Sequence, residues 1–288
     1  MEKICFATLS IGDNYCSLAR LLAIDLNKFA PGIPLFTLTS HPNYFSNSPN
    51  VIAQKHYSIF RSDYDKCFLI EEALKRYEVC ICIDADMRVL DAWPINELWT
   101  PGINARSSTT ILNHQISRSK QPDDAKCSKI LELRKIEKLA SKMGLDLEQD
   151  NVPWIHEFLF VVAPCKGLEK SFLDCFKQTA LYCNLHNISA GCGVAMGLAA
   201  SKAGFPVRRH AMQKVKFFDD RIEKIQISKG QANLEDSKHL FEELALLKYP
   251  NRPFSAKLFI KIKLRAKAIY TRLGAAIRAC RDFQFYYR

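Results

Sequence analysis

The chain has 288 residues, of which 48% are hydrophobic and 25% are charged, a balance typical of a folded globular protein. This composition excludes a disordered chain, and the length is enough for one large domain or for one domain with an appendage. No uninterrupted run of about 18 apolar residues occurs in the sequence, so we do not expect a membrane-spanning helix. The first residues lack the features of a secretory signal, so we expect none.

Eleven cysteines are scattered along the chain, an odd number without any Cys-x-x-Cys pair. Many of them lie inside apolar patterns, which is typical of buried reduced thiols rather than of disulfides or a zinc site. We therefore predict a cytoplasmic protein.

The first half of the chain alternates predicted strands and helices. A strand at 3–8 is followed by a capped helix, and a second strand lies at 34–39. A helix at 63–77 then leads into an apolar run at 79–83. This alternation predicts an α/β fold in which a mostly parallel sheet is flanked by helices.

The second half of the chain has a looser pattern, which predicts three further strands and three further helices. The strands are placed at 105–112, 154–162 and 206–209, and the helices at 123–143, 168–182 and 189–203. We divide the chain into a main domain, residues 1–235, and a basic amphipathic C-terminal extension, residues 236–288.

Two carboxylates directly follow the apolar run at 79–83, because Asp84 and Asp86 are separated by a single residue. In an open α/β sheet, the carboxyl end of a strand is where ligands bind. A hard cation such as Mg²⁺ or Mn²⁺ takes one or two protein carboxylates and fills its other positions with water and phosphate oxygens. The pair therefore predicts a divalent cation and a diphosphate-bearing substrate, and a plain strand-ending turn is the alternative for so short a motif.

The segment 77–87, Tyr-Glu-Val-Cys-Ile-Cys-Ile-Asp-Ala-Asp-Met, resembles the strand and Asp-x-Asp-Met motif of nucleotide-sugar glycosyltransferases with the GT-A fold. The similar families are the glycogenin-like enzymes, the lipopolysaccharide galactosyltransferases and the blood-group transferases. The resemblance implies a GT-A-like catalytic domain that moves a sugar from a nucleoside-diphosphate sugar, with a UDP-sugar as the expected donor, to a glycan or lipid-linked acceptor. It also implies that Asp84 and Asp86 hold Mn²⁺ or Mg²⁺ on the donor diphosphate.

The resemblance implies roles for residues near the first strands. The loop after the first strand would receive the nucleoside, which places Thr8, Leu9, Ser10 and Tyr15 at the donor, with Tyr15 able to stack on the base. Lys66 lies where related enzymes often carry a cation that faces the nucleotide. An ordinary helix-capping loop and a solvated helix face are the alternatives for these two segments.

The second half supplies the remaining site residues that the resemblance implies. His210 is our candidate for a third metal ligand, and a surface histidine is the alternative. Glu157 stands where relatives bind sugar and acceptor, so it is a candidate catalytic residue together with Asp86. Cys192 stands where the blood-group relatives carry an acidic residue, and a thiol cannot replace a carboxylate. This departure leaves open a catalytically degenerate fold that acts as a membrane-surface or partner-binding module.

The segment 251–288 carries ten Lys and Arg residues against one acid, Asp282. Residues 257–281 repeat apolar side chains at helical spacing, with basic residues on most of the other face. Such helices bind anionic membrane surfaces, which would make the protein peripheral to a membrane. A helix that docks its apolar stripe on the catalytic domain is the alternative. Nucleic acid is not an expected partner, because no recognisable motif accompanies the charge.

A phosphatase of the haloacid-dehalogenase type is the rival enzyme, with Asp84 as the nucleophile and Lys214, Asp219 and Asp220 completing a Mg²⁺ site. The Gly-Thr that usually follows the Asp pair in that family is absent, because Met87 follows the pair here. The sequence therefore favours the glycosyltransferase over the phosphatase.

Overall fold

A computed structural model describes residues 2–94, 98–119 and 126–288 of the chain. The first residues of the helix predicted at 123–143 lie outside these ranges. The strands are β1 Glu2–Ser10, β2 Leu35–Thr39, β3 Val51–Lys55, β4 Tyr77–Ile83, β5 Arg88–Val89, β6 Gly102–Ala105, β7 Ser108–Thr110, β8 Pro153–Ile155, β9 Leu159–Ala163, β10 Val207–Arg209 and β11 Phe217–Phe218. The helices are α1 Asp13–Phe29, α2 Lys66–Leu74, α3 Ile111–Ser119, α4 Lys126–Lys142, α5 Glu169–Leu185, α6 Cys192–Ala203, α7 Asp220–Ser228, α8 Leu234–Lys248, α9 Phe254–Ala279 and α10 Phe283–Tyr287.

The central sheet has seven strands in the order β10-β6-β9-β4-β1-β2-β3. Strand β9 runs antiparallel to its neighbours β4 and β6, whereas the other pairs are parallel. The predicted α/β fold with a mostly parallel sheet is confirmed. Parallel pairing of β1 with β4 brings their carboxyl ends to the same edge of the sheet.

Side chains along β4 alternate between two hydrophobic cores, one on each face of the sheet. Cys80 and Cys82 belong to one core, and Ile81 and Ile83 belong to the other. Because both faces are covered, β4 reads in the sequence as a continuous apolar run. Ten cysteines have described side chains, and all ten are free thiols, eight of them buried.

The strand predicted at 154–162 is wrong in extent, because the chain forms β8 and β9 there, with a break at 156–158. Strand β8 pairs with β7 outside the main sheet, while β9 enters the main sheet between β4 and β6. Two strands that serve different sheets need a turn between them, and this turn carries Glu157. The strand predicted at 105–112 is also wrong, because β6, β7 and the start of α3 share that range.

Helix α8 begins at Leu234 and so crosses the predicted domain boundary at residue 235, which stays a prediction. The helix packs on α1 through a small apolar cluster. The buried members of this cluster are Leu18, Phe218, Leu240 and Leu244. This contact brings the end of α8 to the sheet edge that follows β4, where Lys248 meets Asp86.

Helix α9 packs on α5 through a narrow row of small residues, since Thr271, Ala275 and Ala279 are buried. The alternative in which α9 docks its apolar stripe is wrong, because side chains of that stripe such as Ile262 and Leu273 are exposed. Over the described parts of the chain, every helix is too short or too polar to cross a bilayer.

Candidate active site

A cavity of about 420 Å³ lies at the carboxyl ends of β1 and β4. It brings together most of the site residues predicted from the sequence. Those that line it are Leu9, Tyr15, Lys66, Asp84, Asp86 and Glu157. Sequence reasoning missed other lining residues, among them Asp63, Arg221, Leu264 and Lys267.

Asp84 is held by two cations at the end of β4. The Lys66 ammonium lies 2.6 Å from its Oδ1 atom, and Arg221 lies 3.4 Å from its Oδ2 atom. Lys66 also donates a 2.8 Å hydrogen bond to the backbone carbonyl of Glu157, so it ties the Asp pair to the β8–β9 turn. Burial alone would lower the pKa of Lys66, but Asp84 and other nearby acids raise it above its usual value, and the ammonium stays charged.

Asp86 is paired with Lys248, which comes from the end of α8. The Lys248 ammonium lies 2.8 Å from Asp86 Oδ2 and 2.8 Å from Asp220 Oδ1. Burial opposes the charge on Lys248, yet the hydrogen bonds to Asp220 and Asp86 raise its pKa. The C-terminal helices therefore contribute directly to the cavity's electrostatics.

The Asp pair fits a hard divalent cation, because both carboxylates face one cavity and offer only oxygen ligands. Burial raises the pKa of Asp84, and Lys66 and Arg221 oppose this shift, so a divalent cation would further favour the ionised carboxylate. The 3.4 Å contact of Arg221 with Asp84 is longer than the roughly 2.7–2.9 Å of a strong charge-assisted hydrogen bond. Mn²⁺ or Mg²⁺ would compete with Arg221 and Lys248 for these oxygens.

Glu157 is wedged between the β8–β9 turn and the start of α6. A Cβ atom at Gly191 would lie 2.9 Å from its Oε1 atom, and one at Gly193 would lie 3.0 Å from its Oε2 atom. Within the described chain, the buried Oε2 atom has no hydrogen-bond partner. Burial, reinforced by Asp63 and Asp84 and opposed by Lys66, raises the pKa of Glu157 to about 7. A carboxyl group near neutrality is suited to proton transfer.

Cys192 lies beside two carboxyl groups. Ligand atoms of Cys192, Asp63 and Glu157 lie within 4.8 Å of one another, and the backbone N–H of Cys192 donates to Asp63 Oδ2 at 3.2 Å. Burial raises the pKa of the Cys192 thiol well above its usual value, so the thiol is neutral. Cys192 has no carboxyl group, but the side chains of Asp63 and Glu157 bring two carboxyl groups to the same place.

The predicted nucleoside loop is divided between the cavity and the sheet interior. Leu9 and Tyr15 line the cavity, and burial together with the charges of Asp86 and Asp84 raises the pKa of Tyr15. Thr8 and Ser10 are fully buried in β1, and the Ser10 hydroxyl is hydrogen-bonded to that of Thr37 at 2.9 Å.

His210 lies away from the lining of the cavity as far as the structure describes it. Its Nδ1 atom accepts a 3.3 Å hydrogen bond from the backbone N–H of Met212, and its ring packs edge-on against Trp99. Its role as a third metal ligand stays a prediction.

The residues proposed for the phosphatase site have other environments. Asp219 caps α7 by accepting from the backbone N–H groups of Arg221 and Ile222. Lys214 is exposed and lies outside the described lining of the cavity. These positions weaken the phosphatase alternative.

Comparisons with known proteins found similarity in structure alone. No protein-family model matches the chain, and no curated protein sequence matches it either. The WbbM bifunctional glycosyltransferase, in its apo structure, is 13% identical with a TM-score of 0.43, covering 73% of this chain. The galactosyltransferase LgtC, solved with donor and acceptor sugar analogues, is 12% identical with a TM-score of 0.41, covering 67% of this chain. This chain spans 39% of the WbbM chain and 69% of the LgtC chain.

The fold is an open, mostly parallel α/β sheet with a hydrophobic core on each face. The resemblance of the segment 77–87 to GT-A enzymes implies an α/β fold of this kind. At identities near 12–13% and TM-scores near 0.4, these two structures do not inform on the reaction, so the chemistry has to come from the cavity itself.

Proposed function

We propose that the protein transfers a sugar from a nucleoside-diphosphate sugar, with a UDP-sugar as the expected donor, to a glycan or lipid-linked acceptor. One observation carries the proposal. A single cavity holds the Asp84–Asp86 pair, cationic side chains and a carboxyl group whose pKa is about 7. These are the groups that a diphosphate leaving group and an acceptor hydroxyl require.

The donor diphosphate would lie beside the Asp pair. Lys66, Arg221 and Lys267 line the same cavity and supply positive charge for its oxygens. Asp84 and Asp86 would hold Mn²⁺ or Mg²⁺, which when bound neutralises charge on the departing nucleoside diphosphate. Tyr15, which lines the cavity and is 49% exposed, would stack on the base.

Glu157 is our candidate for proton transfer. As a base it would take the proton of the acceptor hydroxyl while the acceptor oxygen bonds to the anomeric carbon and the bond to the diphosphate breaks. Lys66 fixes the position of Glu157 through the backbone carbonyl, and Asp63 lies close enough to contact a sugar hydroxyl. Lys66 thus contacts both Asp84, at the proposed diphosphate site, and the backbone of the proposed base.

Removal of Asp86 tests this assignment. We expect Asp86→Ala to lower metal-dependent hydrolysis of, or transfer from, a nucleotide sugar by at least about 100-fold, because the metal loses an anchoring ligand. A thermal-shift screen of nucleotide sugars with Mn²⁺ would identify the donor, and release of nucleoside diphosphate would then measure turnover.

Asp91→Asn is the matched control, since Asp91 is an exposed acid paired with Lys216 outside the described lining of the cavity. Full activity in Asp86→Ala would refute the site. Absence of stabilisation by every nucleotide sugar tested would refute the function.

A further inference from the structure

Helix α9 presents an exposed apolar face. Its members recur at helical spacing, and each is between 49% and 72% exposed. They are Leu258, Phe259, Ile262, Ile269, Leu273 and Ile277. A continuous apolar surface of this kind marks an interaction site.

The opposite face of α9 fixes the orientation of the helix. Ala275 and Ala279 are buried against the protein, and Thr271 is 4% exposed beside them. The guanidinium of Arg278 donates a 3.0 Å hydrogen bond to the backbone carbonyl of Ile59 and lies over the ring of Phe60. Turning the apolar face inward would break these contacts, so this face is available to a partner.

Positive charge surrounds the apolar face. At 3.6 residues per turn, Lys261, Arg265 and Arg272 lie along one border of the face and Lys263 lies along the other, and all four are exposed. An apolar stripe bordered by cations matches the interface of a bilayer that contains anionic lipids. A second copy of this chain is a poorer partner, because the two cationic borders would be brought together.

The same helix also forms a wall of the candidate active site, because Leu264 and Lys267 line the cavity. A helix with its side chains is about 10–12 Å thick, so the bilayer-facing side and the cavity are separated by about that distance. We propose that the exposed apolar face of α9 binds an anionic membrane surface and holds the cavity beside a lipid-linked acceptor. The choice of acceptor rests on the proposed function, whereas membrane binding does not.

Vesicle flotation tests the proposal with the full chain. The protein is mixed with vesicles of phosphatidylcholine alone or of phosphatidylcholine with phosphatidylglycerol. We expect the wild type to float with the anionic vesicles and the triple variant Ile262→Glu, Ile269→Glu and Leu273→Glu to bind them at least about tenfold more weakly.

A matched triple variant, Ile24→Glu, Leu131→Glu and Leu246→Glu, changes three other exposed apolar residues and should float like the wild type. Failure of the wild type to float would overturn the proposal. Equal flotation of the α9 variant would also overturn it, because the positive charge of the protein, and not the apolar face of α9, would then account for binding to anionic vesicles. The same charge would attract nucleic acid. Thermal melts of all three proteins check that the fold is retained.

Calorimetry with UDP and Mn²⁺ in the absence of lipid separates the two proposals. Flotation without nucleotide binding would refute the proposed function and leave the membrane surface standing. Nucleotide binding without flotation would refute the membrane surface and leave the proposed function standing. If both hold, transfer to a lipid-linked acceptor in anionic vesicles should fall in the α9 variant while donor hydrolysis without lipid is unchanged.

Discussion

At Glu157, burial raises the pKa of the carboxyl group and the neighbouring Lys66 ammonium lowers it. The effect of burial is the larger of the two. The charged carboxylate is disfavoured by desolvation and by Asp63 and Asp84, and Lys66 offsets only part of that cost. The pKa of about 7 in the folded protein lies above the 4.5 of an ordinary glutamate. The fold therefore loses stability from this group as the pH rises from 4.5 to 7.

Glu157→Gln should separate stability from activity. The variant cannot ionise, so at pH 8 we expect its free energy of unfolding to exceed that of the wild type by on the order of 2 kcal/mol, with little difference at pH 4. Its turnover should fall by about 100-fold or more, because the base is lost. Urea denaturation at both pH values and a pH profile of wild-type kcat/KM, declining below pH 7, check this.

Equal stability of the variant and the wild type at pH 8 would show that the Glu157 carboxylate is better solvated than its surroundings suggest. A wild-type profile that is flat through pH 7 would remove the residue from proton transfer.

Lys248 holds the Asp86 carboxylate in an ion pair of 2.8 Å. In Lys248→Met the carboxylate keeps its place but loses a competing charge, so Mn²⁺ should bind about tenfold more tightly. Calorimetric titration with Mn²⁺ measures the change. The control is Lys224→Met, since Lys224 pairs with Asp220 but is 65% exposed. Weaker Mn²⁺ binding in Lys248→Met than in this control would mean that the lysine organises the site instead of competing for it.

Among the elements, α6 makes an unusually close approach to β8. A Cβ atom at Gly193 would lie 2.0 Å from the backbone carbonyl oxygen of Ile155, and one at Gly197 would lie 1.7 Å from that of Pro153. Backbone atoms cannot rotate away as side chains can. The two glycines therefore hold the start of α6 against Glu157.

Gly197→Ala should force α6 away from β8 and lower the free energy of unfolding by about 1–3 kcal/mol. Gly274→Ala is the control, because its new methyl group would meet only the flexible Arg278 side chain at 3.3 Å. This control should be neutral or stabilise the helix by up to about 1 kcal/mol. Chemical denaturation measures both, and equal stability of the two variants would contradict the close packing.

The elements themselves were predictable where one periodicity holds along a segment. The strand before Asp84 and helices α5 and α6 are where the apolar pattern places them. The pattern failed at 154–162, since an apolar run does not reveal that β8 and β9 pair in different sheets. The pattern also did not show which face of α9 docks on the protein. That face is formed by Ala275 and Ala279, whose small side chains add little to an apolar pattern.

At the scale of the whole molecule, the cavity joins residues from β1 to α9. Asp84 and Asp86 were predictable because ligands bind at the carboxyl ends of strands in such a sheet, whereas Lys66 was implied only by the resemblance. Arg221 and Lys248 were not, because they reach Asp84 and Asp86 only through the tertiary packing of the C-terminal helices, of which α8 packs on α1. The local signals for these helices were their N-caps, Asp219 and Asn233. A cap predicts where a helix begins but not which part of the protein the helix packs against.

The pairing of Asp86 with Lys248 bears on how the polypeptide is made. The ribosome synthesises the Asp pair roughly 160 residues before Lys248, so the two acids emerge well ahead of this counter-ion. Until then, Asp86 lacks the lysine that pairs with it in the folded protein. A translation intermediate stalled before α7 would accordingly hold Asp84 against Lys66 at the sheet edge, with Asp86 still without its lysine.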